Sequence, residues 1–576
     1  MASKIKPVFW FVVFVVAASL IGLALYRAKG LVGVVKKEQA AQIVSQSSGT
    51  STSGDKFIDI KMYSSSAKKN WINAMVKTFN ASRVRVNDQT ARVKVWHVTS
   101  GGSFDMLKAG KIKPDIWSPG DESWLQMAKA HWLNVKQKQL FEDFSPLVNI
   151  PLVVAVWEPM AKALGHPQPI GWRDLAKIAA NPQGWSALGH PEWGKFRWGH
   201  AHPDANSGFL TVISEIYAVL EKAEGITLED IKKPEVISFL RKFEGAVEHY
   251  GLSNSWIDKL MHTKGPSYLS AAVQYENTII QTNAKHKNKP FKLTAIYPRE
   301  GNFRTQHPAA ILKEAWMTDD KESACKKFIN FLLNPEAQRQ AMEMGLRPIL
   351  KDIEMSSPFD TEHGVKPNLA SGKTFKVPPE NVLKRIRNLW EEVKTPATII
   401  LVIDRSGSMK GSPMDNAKAG AIEFIRSMKP RDQLMLTVFN RNVNVLAELC
   451  AIRQCGENVT ERLNNVFANG ETALYDALAQ TYKQLKHFKQ QEPGRRYSIL
   501  LLSDGKDTGS KLKRHDFIDL LPGGEDFDAP KIYTIAYGSK ADRDLLAEIS
   551  NRTNARLFIS SPEEIRKTYK ELSANF

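Results

Sequence analysis

Cysteine is scarce: Cys325, Cys450 and Cys455 are the only three in 576 residues. Three thiols cannot build a disulfide framework or a four-thiolate metal centre, which excludes the small stapled scaffolds and the zinc modules. Cys450 and Cys455 are near enough in sequence to pair in an oxidising compartment; two reduced thiols is the other reading. A G-x-x-x-x-G-K-S/T run is absent, so there is no P-loop to cradle a nucleotide. No basic arm and no aromatic ribonucleoprotein motif is present: the net charge is +18, but the lysines and arginines are scattered through every segment. A nucleic-acid partner is therefore not expected. Gly and Pro are not in excess, and 43% hydrophobic with 24% charged residues is ordinary for globular protein. A chain of this length needs two or three cores.

Long hydrophobic runs are also lacking, with one exception. Val8–Tyr26, VFWFVVFVVAASLIGLALY, is 19 residues without a charge. As a helix it would reach roughly 28 Å, enough to cross a hydrocarbon core. No good small-x-small site follows it, so an uncleaved single-pass anchor is expected behind a short tail, residues 1–7, rather than a cleaved signal peptide. Arg27, Lys29, Lys36 and Lys37 behind the span outnumber Lys4 and Lys6 in front, and charge alone favours keeping the bulk of the chain in the cytoplasm. Residues 27–54, ending in SQSSGTSTSG, have nothing to bury and read as a flexible linker.

From residue 55 to 376, short apolar strands such as FIDIKMY, LVVAVW and KLTAIYP alternate with helical stretches such as NWINAMVKTFNA, which predicts an α/β domain. Its last part, Met355–Lys376, is rich in Ser, Pro and charge and reads as a surface loop. Residues 377–396 restore a helical period and form a connecting helix that Pro396 ends. Residues 397–576 then alternate strand and helix: strands over Thr398–Asp404, Gln433–Phe439, Tyr497–Asp504 and Lys531–Tyr537, helices over Asp415–Met428, Thr472–Phe488 and Ala541–Ser550, and a last helix from Pro562. That order predicts a doubly wound, mainly parallel sheet.

The first strand of that domain breaks into a polar cluster, LVIDRSGSMKG. Ligands of doubly wound sheets sit outside the carboxyl ends of the strands, where Asp404, Ser406 and Ser408 would project. LLLSDGKDTGS brings Asp504 to a second strand end, and NGETALYDAL places Thr472 where a helix begins. Two carboxylates and three hydroxyls suit a hard cation that wants about six oxygens, and small oxygen ligands favour Mg²⁺ or Mn²⁺ over Ca²⁺. Such a site is near neutral overall and leaves a coordination position to an outside oxygen, which an Asp or Glu of a protein partner could fill. The combination resembles the metal-ion-dependent adhesion site of the von Willebrand factor A (VWA) family: Asp404-Arg405-Ser406-Gly407-Ser408 matches D-x-S-x-S, and Thr472 and Asp504 match the other two pieces. The resemblance implies a Rossmann-like VWA domain over 397–576. A haloacid-dehalogenase phosphatase would need an aspartate where Ser406 stands.

The larger domain resembles the bacterial extracellular solute-binding proteins, two-lobed periplasmic receptors that close on a ligand. Polar residues recur where strands run into helices: Ser64, Ser65 and Ser66; Ser100, Gly101, Gly102 and Ser103; Asn206, Ser207 and Gly208. Each group can cap a helix or offer hydroxyl and amide groups to a ligand. Tyr275-Glu276-Asn277 and Gly345-Leu346-Arg347-Pro348 look similar to late segments of that family. The resemblance implies a cleft for a small solute or peptide formed by these loops. Twelve of the 14 tryptophans lie between Trp71 and Trp316, as core or as an aromatic platform. His200 and His202, with Asp204 close by, would share a strand face; without a further ligand they read as structural.

The whole chain resembles membrane-anchored bacterial proteins that join these two domains. Solute-binding domains work outside the cytoplasmic membrane, and long domains translocate largely regardless of flanking charge, so a periplasmic or extracellular location is expected. The reading is a binding protein and not an enzyme, since no nucleophile–base pair is evident. The rival readings are a tethered solute receptor for a transporter with the VWA domain as docking module, and a hydrolase.

Overall fold

The computed structural model describes residues 56–573 except 205–206, 252, 289, 369–372, 525 and 527. The expected anchor, Val8–Tyr26, and the linker 27–54 lie outside the described residues; among those described, no helix is long and apolar enough to cross a membrane. Residues 56–58 and 87–90 group as a small unit, and Asp59–Val86 with Ala91–Phe576 as the main one.

Ala397–Asp404, ATIILVID, is buried at every position, which a strand achieves when both sheet faces are covered. It lies inside a six-stranded sheet ordered Val443–Ala451, Gln433–Phe439, Ala397–Asp404, Arg496–Ser503, Lys531–Tyr537, Leu557–Ser560. All neighbours pair in parallel except the first two, which are antiparallel. Alternate side chains sort to opposite faces. Ile399, Leu401 and Ile403 join helices Ser412–Ser427 and Ile565–Ser573 in one core. Ile400 and Val402 join helices Leu474–Gln491 and Arg543–Arg552 in the other.

Four strands and helices of this domain were not expected, the short helix Arg514–Asp519 among them. Val443–Ala451 is an edge strand with mostly half-buried positions, so it shows no continuous apolar run. Helix Ile452–Asn464 buries only Val459 and Leu463 fully, too thin a stripe for periodicity to mark. Leu557–Ser560 is a four-residue strand. Cys450 and Cys455 form a disulfide that joins the edge strand to the helix following it.

The preceding domain has two sheets. One is ordered Arg85–Val86, Gln89–His97, Lys56–Ser64, Ile116–Ser118, Ala309–Ile311, Phe144–Ser145. The other runs Leu293–Ile296, Ile150–Trp157, Ala271–Tyr275, Trp198–Ala201, Val247–Gly251, with Arg304–Thr305 also on Ile150–Trp157. The chain crosses between these lobes three times, the third near Arg347, which bridges to Asn149; the first two crossings run side by side. Ser145 pairs with Ala309 in the first lobe and Ile150 with Thr305 in the second, so 146–149 and 306–308 form an antiparallel hinge.

Helix Glu380–Val393 buries Val382, Leu383, Ile386, Leu389, Trp390 and Val393, the periodic stripe expected of it. It packs on Gly208–Leu220, Leu228–Lys232 and Pro234–Gly245 of the second lobe and on Glu122–Lys136 of the first. The loop before it is not purely superficial: Phe359, Val365 and Phe375 are buried, and Tyr217 stacks on Phe375 at 4.8 Å. The C-terminal domain docks on the second lobe through Lys195–Asp528 at 2.6 Å, the Tyr268 hydroxyl on the Asn554 carbonyl at 2.9 Å, and Lys531–Glu248.

Candidate functional site

Asp404 ends the central strand of the VWA domain and is fully buried. One carboxylate oxygen accepts the Ser406 amide at 2.8 Å, and the other accepts the Ser503 hydroxyl at 2.7 Å. The carboxylate is thereby held in one orientation at the mouth of the sheet. Ser406 and Ser408 sit on the turn and the short 3₁₀ segment that follow, their hydroxyls 3.0 Å apart, and Ser408 donates to Asp504 at 2.7 Å. Four of the five expected oxygens thus form one hydrogen-bonded array with the strand end beneath it.

Thr472 reaches the array from another loop. Gly407 donates its N–H to the Gly470 carbonyl at 2.9 Å, and Asn469 to that of Arg405 at 2.8 Å, so the two loops are laced by backbone bonds. A Cβ placed on Gly505 would lie 3.7 Å from the Thr472 hydroxyl and 3.8 Å from that of Ser408, so both flank one glycine. Thr472 stands two residues before helix Leu474–Gln491, whose first turn is capped by Asp507. Ser503, Asn440 and Gly470, which position the five groups, carry no sequence signal of their own. Asn440 holds the Thr472 loop by donating to Asn469 and accepting from the Ala473 amide at 2.7 Å.

Burial pushes the Asp404 carboxyl up to about 6, and the negative charge of Asp504 adds to the push. Asp504 is raised too, again by burial. Among the described residues neither forms an ion pair, although the charge of Lys540 opposes the rise at Asp504. Two carboxylates without an ion-pair partner beside three hydroxyls fit a hard divalent ion, Mg²⁺ or Mn²⁺. Among the described residues, no group of three His, Cys, Asp or Glu could hold a metal; the donor set here is mostly hydroxyl.

In the two-lobed domain the strand-end loops meet. Asn277 donates to the Ala67 carbonyl across the lobes at 2.8 Å. Gly101 abuts the second lobe so closely that a Cβ there would lie 1.9 Å from the Asp204 carbonyl oxygen, which only glycine permits. A groove of about 340 Å³ remains, lined by Ser66, Lys69, Asn254, Asp258, Tyr275 and Asn277 among others. Ser65 caps the turn Ser66–Lys68. Several of the expected ligand groups spend their bonds internally. Ser64 donates to Ser65, Ser100 accepts the Gly120 amide, Ser103 accepts the Trp117 indole, and Ser207 donates to Asn254. Glu276 is 1% exposed and holds Arg347 through two bonds of 2.7 Å, so both residues serve the fold. Asn206 lies outside the described residues.

Reasoning from sequence singled out Tyr275 but passed over His307 and Asp121: Tyr275 Oη, both His307 ring nitrogens and one Asp121 oxygen are buried without a partner. His307 belongs to the hinge, its ring 5.2 Å from that of Tyr275. Lys68 is buried on the carbonyls of Ser118 and Pro119, and burial pulls its ammonium down to about 7. Nine of the tryptophans, Trp71 and Trp117 among them, are core; Trp96 is 40% exposed and stacks on Tyr63 at 5.1 Å. His202 lies beyond the end of its strand, so it shares no strand face with His200, which sits instead on Glu244.

Residues 60–347, half of the chain, match the family of bacterial extracellular solute-binding proteins. The chain belongs to that family. It also carries a von Willebrand factor type A domain, matched over residues 399–506. This solute-binding protein is 25% identical over 180 residues to "Uncharacterized protein sll0103" of Synechocystis sp., covering 31% of this chain and 41% of that one. It is 21% identical over 518 residues to "Uncharacterized protein Rv1836c" of Mycobacterium tuberculosis, covering 85% of this chain and 72% of the relative. Among solved structures, the periplasmic binding protein AfuA from Actinobacillus pleuropneumoniae aligns at 16% identity and TM-score 0.41, covering 58% of this chain and 98% of its own. A von Willebrand factor type A protein from Catenulispora acidiphila aligns at 20% identity and TM-score 0.28, covering 31% and 42%.

Proposed function

We propose that this solute-binding protein is a non-catalytic receptor, anchored in the cytoplasmic membrane by residues 8–26 and facing the periplasm or exterior, whose VWA domain captures an acidic side chain of a protein partner. The observation that carries the reading is the array of Ser406, Ser408 and Asp504 above the immobilised Asp404. A bound Mg²⁺ or Mn²⁺ would supply a Lewis-acidic position for the partner's carboxylate. Asp404 and Asp504 supply the charge that retains a divalent ion, and Ser406, Ser408 and Thr472 supply neutral oxygens that keep the site from being closed by its own anions. Ser503 and the Ser406 amide fix the Asp404 carboxylate in advance, so little ordering is left for the binding event.

The solute-binding domain takes a small solute or a peptide segment between its lobes, where Tyr275, His307 and Asp121 offer unmade bonds. Helix Glu380–Val393 touches both lobes and leads directly into the strand that ends at Asp404, which supports coupling between cleft and metal site. The Cys450–Cys455 disulfide supports an oxidising compartment and outweighs the flanking charge. Calorimetric titration of Mg²⁺ and Mn²⁺ into the metal-free full chain, beside Asp404→Ala and Ser406→Ala, tests the reading. One ion per chain, lost in both variants, is expected; ion binding that survives both substitutions would refute the site. Equal partner affinity with and without solute would remove the coupling.

A further inference from the structure

A second charged site lies at the opposite end of the VWA sheet. A cavity of about 610 Å³, within the size range of small-molecule sites, opens between the second lobe and the amino ends of the strands beginning at Ala397, Arg496 and Lys531. Eight-residue strands put it about 25 Å from Asp404. Seven cationic side chains line it against three carboxylates. The carboxylates are already engaged. Glu392 pairs with Arg385 at 2.7 Å, Asp528 with Lys195 at 2.6 Å and Arg197 at 3.5 Å, and Glu248 with Lys531. Of those partners only Lys531 lines the cavity.

Among the other cations, Arg495 pairs with Glu492 at 3.3 Å and Lys394 with Glu391 at 3.6 Å, neither carboxylate lining the cavity. Arg431 bonds the carbonyls of Glu392 and Lys394, and Arg496 bonds that of Val247 at 2.6 Å. Arg431 Nε and Arg496 Nη1 are buried and donate to nothing. Burial lowers the Arg431 guanidinium; the charges of Asp432 and Glu391 oppose the shift, and those of Arg495 and Arg241 add to it. Clustered guanidinium groups with unmade bonds are costly to hold unless an anion answers them, and arginine forks match phosphate oxygens.

We infer that this interdomain cavity binds a compound carrying a chain of two or more phosphate groups, which bridges Arg241 of the second lobe to Arg431, Lys489 and Arg496 of the VWA domain. A bridging polyanion would lock the two domains together, because its ligands come from both. A single phosphate would leave most of the volume and charge unanswered.

The test is calorimetry of the full chain in chelator, titrated with orthophosphate, pyrophosphate, tripolyphosphate and ATP. One tripolyphosphate per chain is expected, at least tenfold tighter than orthophosphate, and weakened at least tenfold in Arg241→Gln/Lys489→Gln. Arg241 is exposed and Lys489 half-buried, so that variant should fold, and its melting curve checks it. ATP binding as tightly as tripolyphosphate would place a nucleotide in the site; weaker ATP binding would favour an inorganic chain. No saturable binding up to about 1 mM, equal affinity for orthophosphate, or an unaffected double variant would each overturn the inference. Asp404→Ala should bind tripolyphosphate like the parent, which separates this site from the metal site.

Discussion

The N–H of Gly407 donates to the carbonyl of Gly470 at 2.9 Å, and that bond joins the loop carrying Ser406 and Ser408 to the loop carrying Thr472. Gly470 has φ +80°, a left-handed backbone that an L side chain rarely adopts, and a Cβ there would lie 3.2 Å from the Asn440 amide nitrogen. Gly470→Ala should therefore cost about 1 kcal/mol of stability and shift Thr472 away from the array. Mg²⁺ titration should show affinity reduced about tenfold with the melting temperature only slightly lowered. Unchanged affinity would mean that Thr472 is not a ligand.

Glu276 and Arg347 are a buried bidentate pair with side chains 1% and 6% exposed. Removing one partner strands the other charge, at about 3–5 kcal/mol. Glu276→Ala should accordingly unfold in markedly less denaturant, while Tyr275→Phe, which removes a hydroxyl without a partner, should leave stability nearly unchanged and alter solute affinity instead. Chemical denaturation of the two variants side by side separates the fold residue from the cleft residue.

The Cys450–Cys455 disulfide closes a short loop, for which chain entropy gives about 2 kcal/mol. Cys450 pairs in register with Leu434, near the amino end of its strand, whereas the candidate metal site stands at the carboxyl ends. Reduction should lower the melting temperature by several degrees and leave Mg²⁺ affinity intact. Loss of both together would show that the edge strand supports the site.

Four of the five groups of the candidate metal site were legible because each falls at a break between an apolar strand and a polar loop, a pattern that survives in one dimension, and Thr472 because it stands where a helix begins. The cleft was less legible. Ser100, Ser103 and Ser207 have the composition of ligand loops, yet their hydroxyls satisfy neighbouring backbone and side chains, and a serine's partner cannot be read from its spacing. Nothing in the sequence pattern marks Lys68 and His307; only the fold buries them. The interdomain cavity was illegible for a similar reason, since Arg241, Arg431 and Arg496 are scattered along the chain and meet only when two domains dock. Edge elements such as Val443–Ala451 were missed because partial exposure erases the hydrophobic signal.

Glu215 is fully buried with neither carboxyl oxygen bonded, facing Glu244 in the second lobe. Burial raises its carboxyl well above the ordinary value, and the Glu244 charge raises it further. Glu244 itself stays on the acidic side against its burial, because His200, Tyr250 and Trp390 answer it. The folded protein thus keeps a proton on Glu215 that the unfolded chain releases above its ordinary carboxyl value of 4.5. More protons bound in the folded state means stability falls as pH rises from there toward the folded value. Glu215→Gln removes the ionisable group while keeping its shape, so it should raise the melting temperature at pH 7.5, by about 1–2 kcal/mol in stability, with the gain shrinking toward pH 4.5. Thermal melts of parent and variant at pH 4.5, 6 and 7.5 measure this directly; a gain that is constant with pH would assign the effect to packing and not to the proton.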